Sequence, residues 1–214
     1  MYRLEAFVED DPARLAALVR AHPLASLIVH AGEGFVSAYA PMLAEHDPDG
    51  RLTGLVGHVA RANPFWSSVD NGAEVLALFC GPDAYVSPSM YPSKQMHGRV
   101  VPTWNYARVE VRGRMSIESD PAKVRPYFER LTQRLEEDRT RPWAVDDAPD
   151  GFIEKLQHAI VGLRIEVTDT RGALKLSQNR DQADHAGVRD GLLGSASLAD
   201  QAVGAMMSAS GATR

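Results

Sequence analysis

Cysteine is almost absent. Cys80 is the only one in 214 residues, so no intrachain disulfide can form and the chain suits a reducing compartment. It closes the apolar run "EVLALFC" with no His or Lys close by, which predicts a buried, inert thiol. A basic surplus is also missing: Lys and Arg number 23 against 28 acids, for a net charge of −5. That excludes a chain devoted to non-specific nucleic-acid binding, although not a local basic patch. No apolar run approaches membrane-spanning length. The opening "MYRLEAFVEDDPARL" carries acids where an export signal needs an apolar core, which predicts retention in the cytoplasm. The seven histidines form no HxxxH, HxH or Cys-paired motif, so no metal site is expected. There is no G-x-S-x-G elbow for a serine hydrolase. No internal repeat and no long linker divides the chain.

What remains is mostly strand. "LASLIVH" (24–30), "FVSAYAPML" (35–43) and "RLTGLVGHV" (51–59) read as strands separated by Gly-containing turns. "AEVLALFCG" (73–81) reads as a buried strand, and "DAYVSPSMYPSK" (83–94) as a short strand breaking into a Pro/Ser loop. In 100–117, Val109, Val111 and Gly113 alternate with Arg108, Glu110, Arg112 and Arg114, the period of a half-buried strand. Residues 163–178 read as a hairpin turning near Arg171-Gly172. Helices are fewer. One is capped by Asp10 or Asp11 and opens at Pro12. A second is capped by Ser119 or Asp120, with Val124, Tyr127, Phe128, Leu131 and Leu135 as its apolar stripe. A third spans 146–162 with Phe152, Ile153, Leu156 and Ile160 inward. Two short helical stretches follow Asp181, with a frayed tail. Consecutive hairpins with late helices predict a mainly β, α+β fold: a β-barrel decorated with helices.

Several motifs have ordinary explanations. "AGEGFVS" has the glycines of a dinucleotide fingerprint, but a strand follows where a helix is required, so a hairpin turn is expected. Asp146 and Asp147 are read as helix caps. "RLTQRLEEDRTR" is read as a solvated helix face. Three stretches ask for more. "GHVARANP" sets His58, Arg61 and Asn63 at a strand end, where forked donors and free N–H groups could hold a phosphate; alternatively Arg61 is solvated and His58 is a barrel-edge histidine. "SPSMYPSK" and "VPTWNY" bring Lys94, Thr103, Trp104 and Asn105, with Trp104 able to stack on a flat ring or to fill the core. "KLSQNR" (175–180) is polar for a barrel rim and either reaches a ligand or ends a strand.

Taken together and in this order, "GHVARANP", "YVSPSMYPSK", "VPTWNY" and "KLSQNR" resemble the PaiB-type FMN-binding negative transcriptional regulators. The "MY…F" start, "PWAVDDAP" and the "D…AGV" after "KLSQNR" agree. The resemblance runs over 1–193 and leaves 194–214 as a C-terminal helix and tail. It implies an FMN-binding split β-barrel of the pyridoxamine-phosphate-oxidase type, a homodimer with FMN at the subunit interface. His58 and Arg61 would hold the FMN phosphate. Ser37, Ala38 and Tyr39 would meet the isoalloxazine edge. Thr103, Trp104 and Asn105, or Lys175, Ser177 and Gln178, would add contacts from a partner subunit. The family label also implies repression. Yet residues 181–214 carry only Arg189 and Arg214 against four Asp, so a helix-turn-helix lacks the cations that DNA needs. Regulation is expected to be indirect, or to use a basic face such as Arg108, Arg112 and Arg114. The alternatives are a flavin-dependent oxidoreductase or haem-handling enzyme acting on a small molecule, and a flavin sensor without turnover. No catalytic residue is singled out.

Overall fold

The computed structural model describes residues 4–32 and 34–210. Met1 and Tyr2 of the resemblance, Glu33 of the expected turn and residues 211–214 of the expected tail lie outside them. The chain forms two compact units.

The first unit comprises residues 11–79 and 109–171. Its opening helix α1 (Pro12–Ala21) is capped by Asp11, whose carboxylate accepts from Ala13 N at 2.9 Å. Pro12 sits where its missing N–H costs nothing, and Pro23 follows the helix end. The strands are β2 (Leu24–Ala31), β3 (Gly34–His46), β4 (Leu52–Ala60), β5 (Ala73–Val86), β6 (Thr103–Glu118) and β7 (Ile160–Lys175); β1 (Val8–Glu9) belongs to the second unit. The order is β7-β4-β3-β2-β5-β6, and β6 pairs back with β7. The barrel expected from the sequence is therefore closed. Period-two alternation sends Leu27, Ala40, Leu55, Ala77, Val111 and Leu163 inward, where they are fully buried. Gly113 is required by close approach: a Cβ there would lie 2.2 Å from Glu166 O.

Between β6 and β7 runs a helical insertion. Asp120 caps a 3-10 turn at Pro121–Lys123, and α3 (Arg125–Glu136) starts only afterwards. Val124 and Leu131 are buried as expected, but Leu135 is 46% exposed and leaves the predicted stripe. The helix expected over 146–162 shrinks to α4 (Phe152–Gln157), because the strand pairing of β7 with β4 captures Ile160. Ile153 points inward, whereas Phe152 and Leu156 are half-exposed. The hairpin expected near Arg171-Gly172 does not form. Gly172 and Ala173 pair with Glu9 and Val8 of β1, which keeps β7 extended through the expected turn.

The second unit holds residues 4–10, 80–108 and 172–210 among those described. Cys80 is exposed there, not buried: it falls on the outward phase of β5, after inward Phe79. A short helix α2 (Ser93–His97) precedes β6. The two helices expected after Asp181 are α5 (Gln182–Leu193) and α6 (Leu198–Ser210). Asp181 caps α5 through Asp184 N at 2.8 Å. Gly187 brings α5 onto the turn at Met90, whose carbonyl would lie 2.4 Å from an added Cβ. Tyr91, Leu176, Leu192 and Met207 form much of the buried interior.

Candidate functional site

The sequence-predicted residues fall into three groups, two in the barrel unit and one in the second unit. The first is "GHVARANP". His58 lies on the outer phase of β4, opposite Gly162 of β7, while Leu55 and Val59 point inward. The Phe128 ring meets its imidazole edge-on at 6.4 Å. Nδ1 is buried without a hydrogen-bond partner. Burial pushes the His58 pKa below its ordinary value, so the ring is neutral near pH 7. A neutral imidazole against an aromatic wall offers no charge to a phosphate, and that role is not carried forward for His58.

Arg61 is a clamp. Its Nε donates to His158 O at 2.8 Å, and Nη2 donates to Ser119 O at 2.7 Å and Ile160 O at 2.9 Å. Its backbone N–H donates to Ala159 O, and its carbonyl accepts from Trp66 Nε1, both at 2.8 Å. Arg61 thus ties β4 to both ends of the helical insertion. Nη1 alone of its side-chain donors is outside these bonds. Asn63 caps the turn Pro64–Ser67, its Oδ1 accepting from Phe65 N at 3.0 Å, which leaves its Nδ2 pair of donors unspent in that bond.

The second group is the outer face of β3. Ser37 and Tyr39 are exposed, Tyr39 by 74%, while the Ala38 side chain faces the core. Only the backbone of Ala38 can meet a ligand. Register places Ser26 opposite Tyr39, Ile28 opposite Ser37 and His30 opposite Phe35. Leu78 and Leu76 of β5 sit opposite Ser26 and Ile28. Phe35, 77% exposed, joins the same face, with His30 edge-on to it at 5.2 Å. The sequence reading missed Phe35. Its signal was the odd-numbered outer phase it shares with Ser37 and Tyr39. None of these residues is Asp, Glu, Lys or Arg, so this sheet face is apolar and nearly free of charge.

The third group is in the second unit. Lys94 is exposed on α2. Trp104 is 54% exposed and meets Tyr85 edge-on at 6.0 Å; Tyr85 was also missed. Lys175 Nζ donates to Trp104 O at 2.8 Å and to Thr103 Oγ1, so "VPTWNY" and "KLSQNR" do come together. Burial lowers the Lys175 pKa, helped by Arg180. Asn105 and Ser177 are buried against each other: Asn105 Nδ2 donates to Ser177 Oγ at 2.9 Å. Ser177 holds a left-handed φ of 62°, a strained backbone for a serine. Gln178 folds back, its Oε1 accepting from Leu176 N at 2.6 Å and its Nε2 donating to Leu174 O. Asn105, Ser177 and Gln178 thus spend side-chain hydrogen bonds on the chain itself, while Trp104 and Lys94 remain outward. Nearby, Asp184 accepts from Ser93 N at 3.0 Å and Ser93 Oγ at 2.7 Å. Burial alone would raise the Asp184 pKa, but those two bonds, with Arg180 and His97, hold it below the ordinary value.

Among the described residues, no group of three or more His, Cys, Asp or Glu is placed to hold a metal, and no helix is long and apolar enough to cross a membrane. Arg108 of the expected basic face is paired with Asp83.

Residues 1–169 match the family model described as "Putative FMN-binding domain". The chain belongs to this FMN-binding family, and its fold is the split β-barrel. An uncharacterised protein of Emericella nidulans, AN0679, is 31% identical over 88% of this chain and 84% of its own length. The Bacillus subtilis protease synthase and sporulation protein PAI 2 is 35% identical over 63% of this chain and 62% of its own. The flavocytochrome Anf3 of Azotobacter vinelandii has the same fold, with a TM-score of 0.58 at 14% identity, over 87% of this chain and 78% of that one.

The site residues fit a flavin in part. An isoalloxazine needs an apolar wall with a few polar groups at its edge, and the β3 face supplies Tyr39, Phe35 and Ser37. A phosphate needs cationic or N–H donors; in the barrel unit Arg61 Nη1 and Asn63 Nδ2 offer them, and neutral His58 offers no charge and at most one N–H.

Proposed function

We propose that the chain binds FMN on the outer face of β3 and acts as a flavin-binding regulator of the PaiB type, as a cytoplasmic homodimer. One observation carries the reading. Phe35 and Tyr39 stand exposed on a sheet face that also presents Ile28, Leu76 and Leu78 and almost no charge. A contiguous apolar patch of this kind marks a binding surface. A flavin ring and a second copy of the chain are the occupants that family membership supports. Ser37 and the Ala38 backbone would meet the polar ring edge, and Tyr39 its face. Arg61 Nη1 and Asn63 would serve the phosphate. Trp104, Lys94 and Lys175, the last holding Thr103, would add contacts from a second copy of the chain. Bound FMN would supply one- or two-electron redox chemistry; the chain's residues bind it, orient it and shield it from water. Residues 1–193 would form the flavin-binding part, with 194–214 appended.

Direct DNA reading finds little support. Arg189, the only Lys or Arg of α5 and α6, is paired with Asp190 at 2.8 Å. The proposed regulation is therefore indirect, through flavin state or a protein partner. The test is a flavin titration with parallel size-exclusion. The reading expects one FMN per chain on a dimer, and both properties weakened in Phe35→Asp. A folded monomer that binds no FMN would overturn it.

A further inference from the structure

The helical insertion covers a half-open cavity that the flavin reading does not use. Phe128 and Thr132 of α3, Trp143, Ile153 and Leu156 of α4, Ala159 and Ile160 wall a space of about 280 Å³ against β4. Of the lining side chains, only those of His58, Thr132 and Trp143 contain a polar atom. Trp143 and Leu156 are half-exposed, which leaves apolar side chains at the mouth. His58 keeps its buried, unpartnered Nδ1 out of that space, so Nε2 is the ring nitrogen left to the wall, in a ring that carries one N–H and one lone pair when neutral. Histidines placed purely for packing normally have both satisfied. The wall has no cation and no carboxylate, so the occupant is uncharged. A cavity of about 150 Å³ accepts a benzene; this one is roughly twice that, which suits two fused rings. It is far too small for a haem.

We propose that this cavity binds a compact, uncharged bicyclic arene bearing one hydroxyl, with Phe128 and Trp143 against its rings and its hydroxyl hydrogen-bonded to His58 Nε2. The site lies wholly within the barrel unit and is independent of the flavin reading.

The probe is 2-naphthol, with naphthalene as its apolar control, titrated by calorimetry into the full chain with and without saturating FMN. The expected result is one 2-naphthol per chain, with or without FMN. In His58→Phe, 2-naphthol should weaken about tenfold, the worth of one hydrogen bond, while naphthalene changes less than about twofold. Leu156→Trp, at a half-exposed position, should fill the cavity and abolish both, with circular dichroism showing it folded. Three results would overturn the proposal: no saturation by 2-naphthol, unchanged binding to folded Leu156→Trp, or displacement by FMN. The last would place the cavity within the flavin site. A chain that binds naphthol but never FMN would sink the flavin reading alone.

Discussion

Arg61 donates from one nitrogen, Nη2, to Ser119 O at 2.7 Å and Ile160 O at 2.9 Å, the two ends of the helical insertion. Ser119 and Ile160, 58 and 99 positions from Arg61 in sequence, are thereby fixed to the end of β4. The arginine of "GHVARANP" is first a structural clamp, and only Nη1 remains for an anion.

Arg61→Ala should therefore destabilise the flavin-free chain by about 1–3 kcal/mol, since charge-assisted bonds to three carbonyls are lost and two of them are solvent-screened. Urea denaturation of the apoprotein measures it. A purely phosphate-binding arginine would leave the apoprotein midpoint unchanged and lower only the affinity for FMN.

Gly113→Ala should cost about 2–3 kcal/mol. The new methyl would lie 2.2 Å from Glu166 O and 2.6 Å from Ile165 Cγ2, and neither can retreat without opening the β6–β7 pairing that closes the barrel. A urea midpoint equal to wild type would mean that these strands are further apart.

Acid should weaken the fold in two windows. Burial lowers the pKa of His58 and, with help from Arg189 against an opposing Leu176 backbone bond, that of His185. Unfolded histidines take up protons near pH 6.5, before the folded ones do. Stability should be full above that value, fall as pH drops through it, and level off below the folded-state pKa. His58→Phe should flatten part of this slope in urea midpoints measured from pH 8 to 5. Asp184, held low by Ser93, and Glu45, where Arg164 and Arg130 outweigh burial, keep their contribution until pH falls below the ordinary carboxylate range. An unchanged slope in His58→Phe would contradict the buried, neutral assignment.

Much of the barrel was legible because alternation and turn residues act locally. Val109, Val111 and Gly113 read as an inward face and are one. Asp11 and Pro12 read as a helix start and form one. The misreadings share a cause. Arg171-Gly172 has the local chemistry of a turn, but pairing with Val8 and Glu9 keeps β7 straight. Ile160 fits a helical stripe, but β4 offers it a strand partner at Ala60. In both, hydrogen bonds to distant residues outweigh a weak local preference.

The sequence by itself determined the fold class, the family and the strands and caps that build the barrel, because periodicity, capping and motif order are properties of neighbouring residues. Tertiary structure alone decided what the motif residues do. It turned His58 into a neutral wall of a cavity, Arg61 into a clamp, and Asn105 and Ser177 into a buried pair. Burial and hydrogen-bond partners are set by residues tens of positions away, and those settle whether a polar side chain is free for a ligand or already spent on the fold.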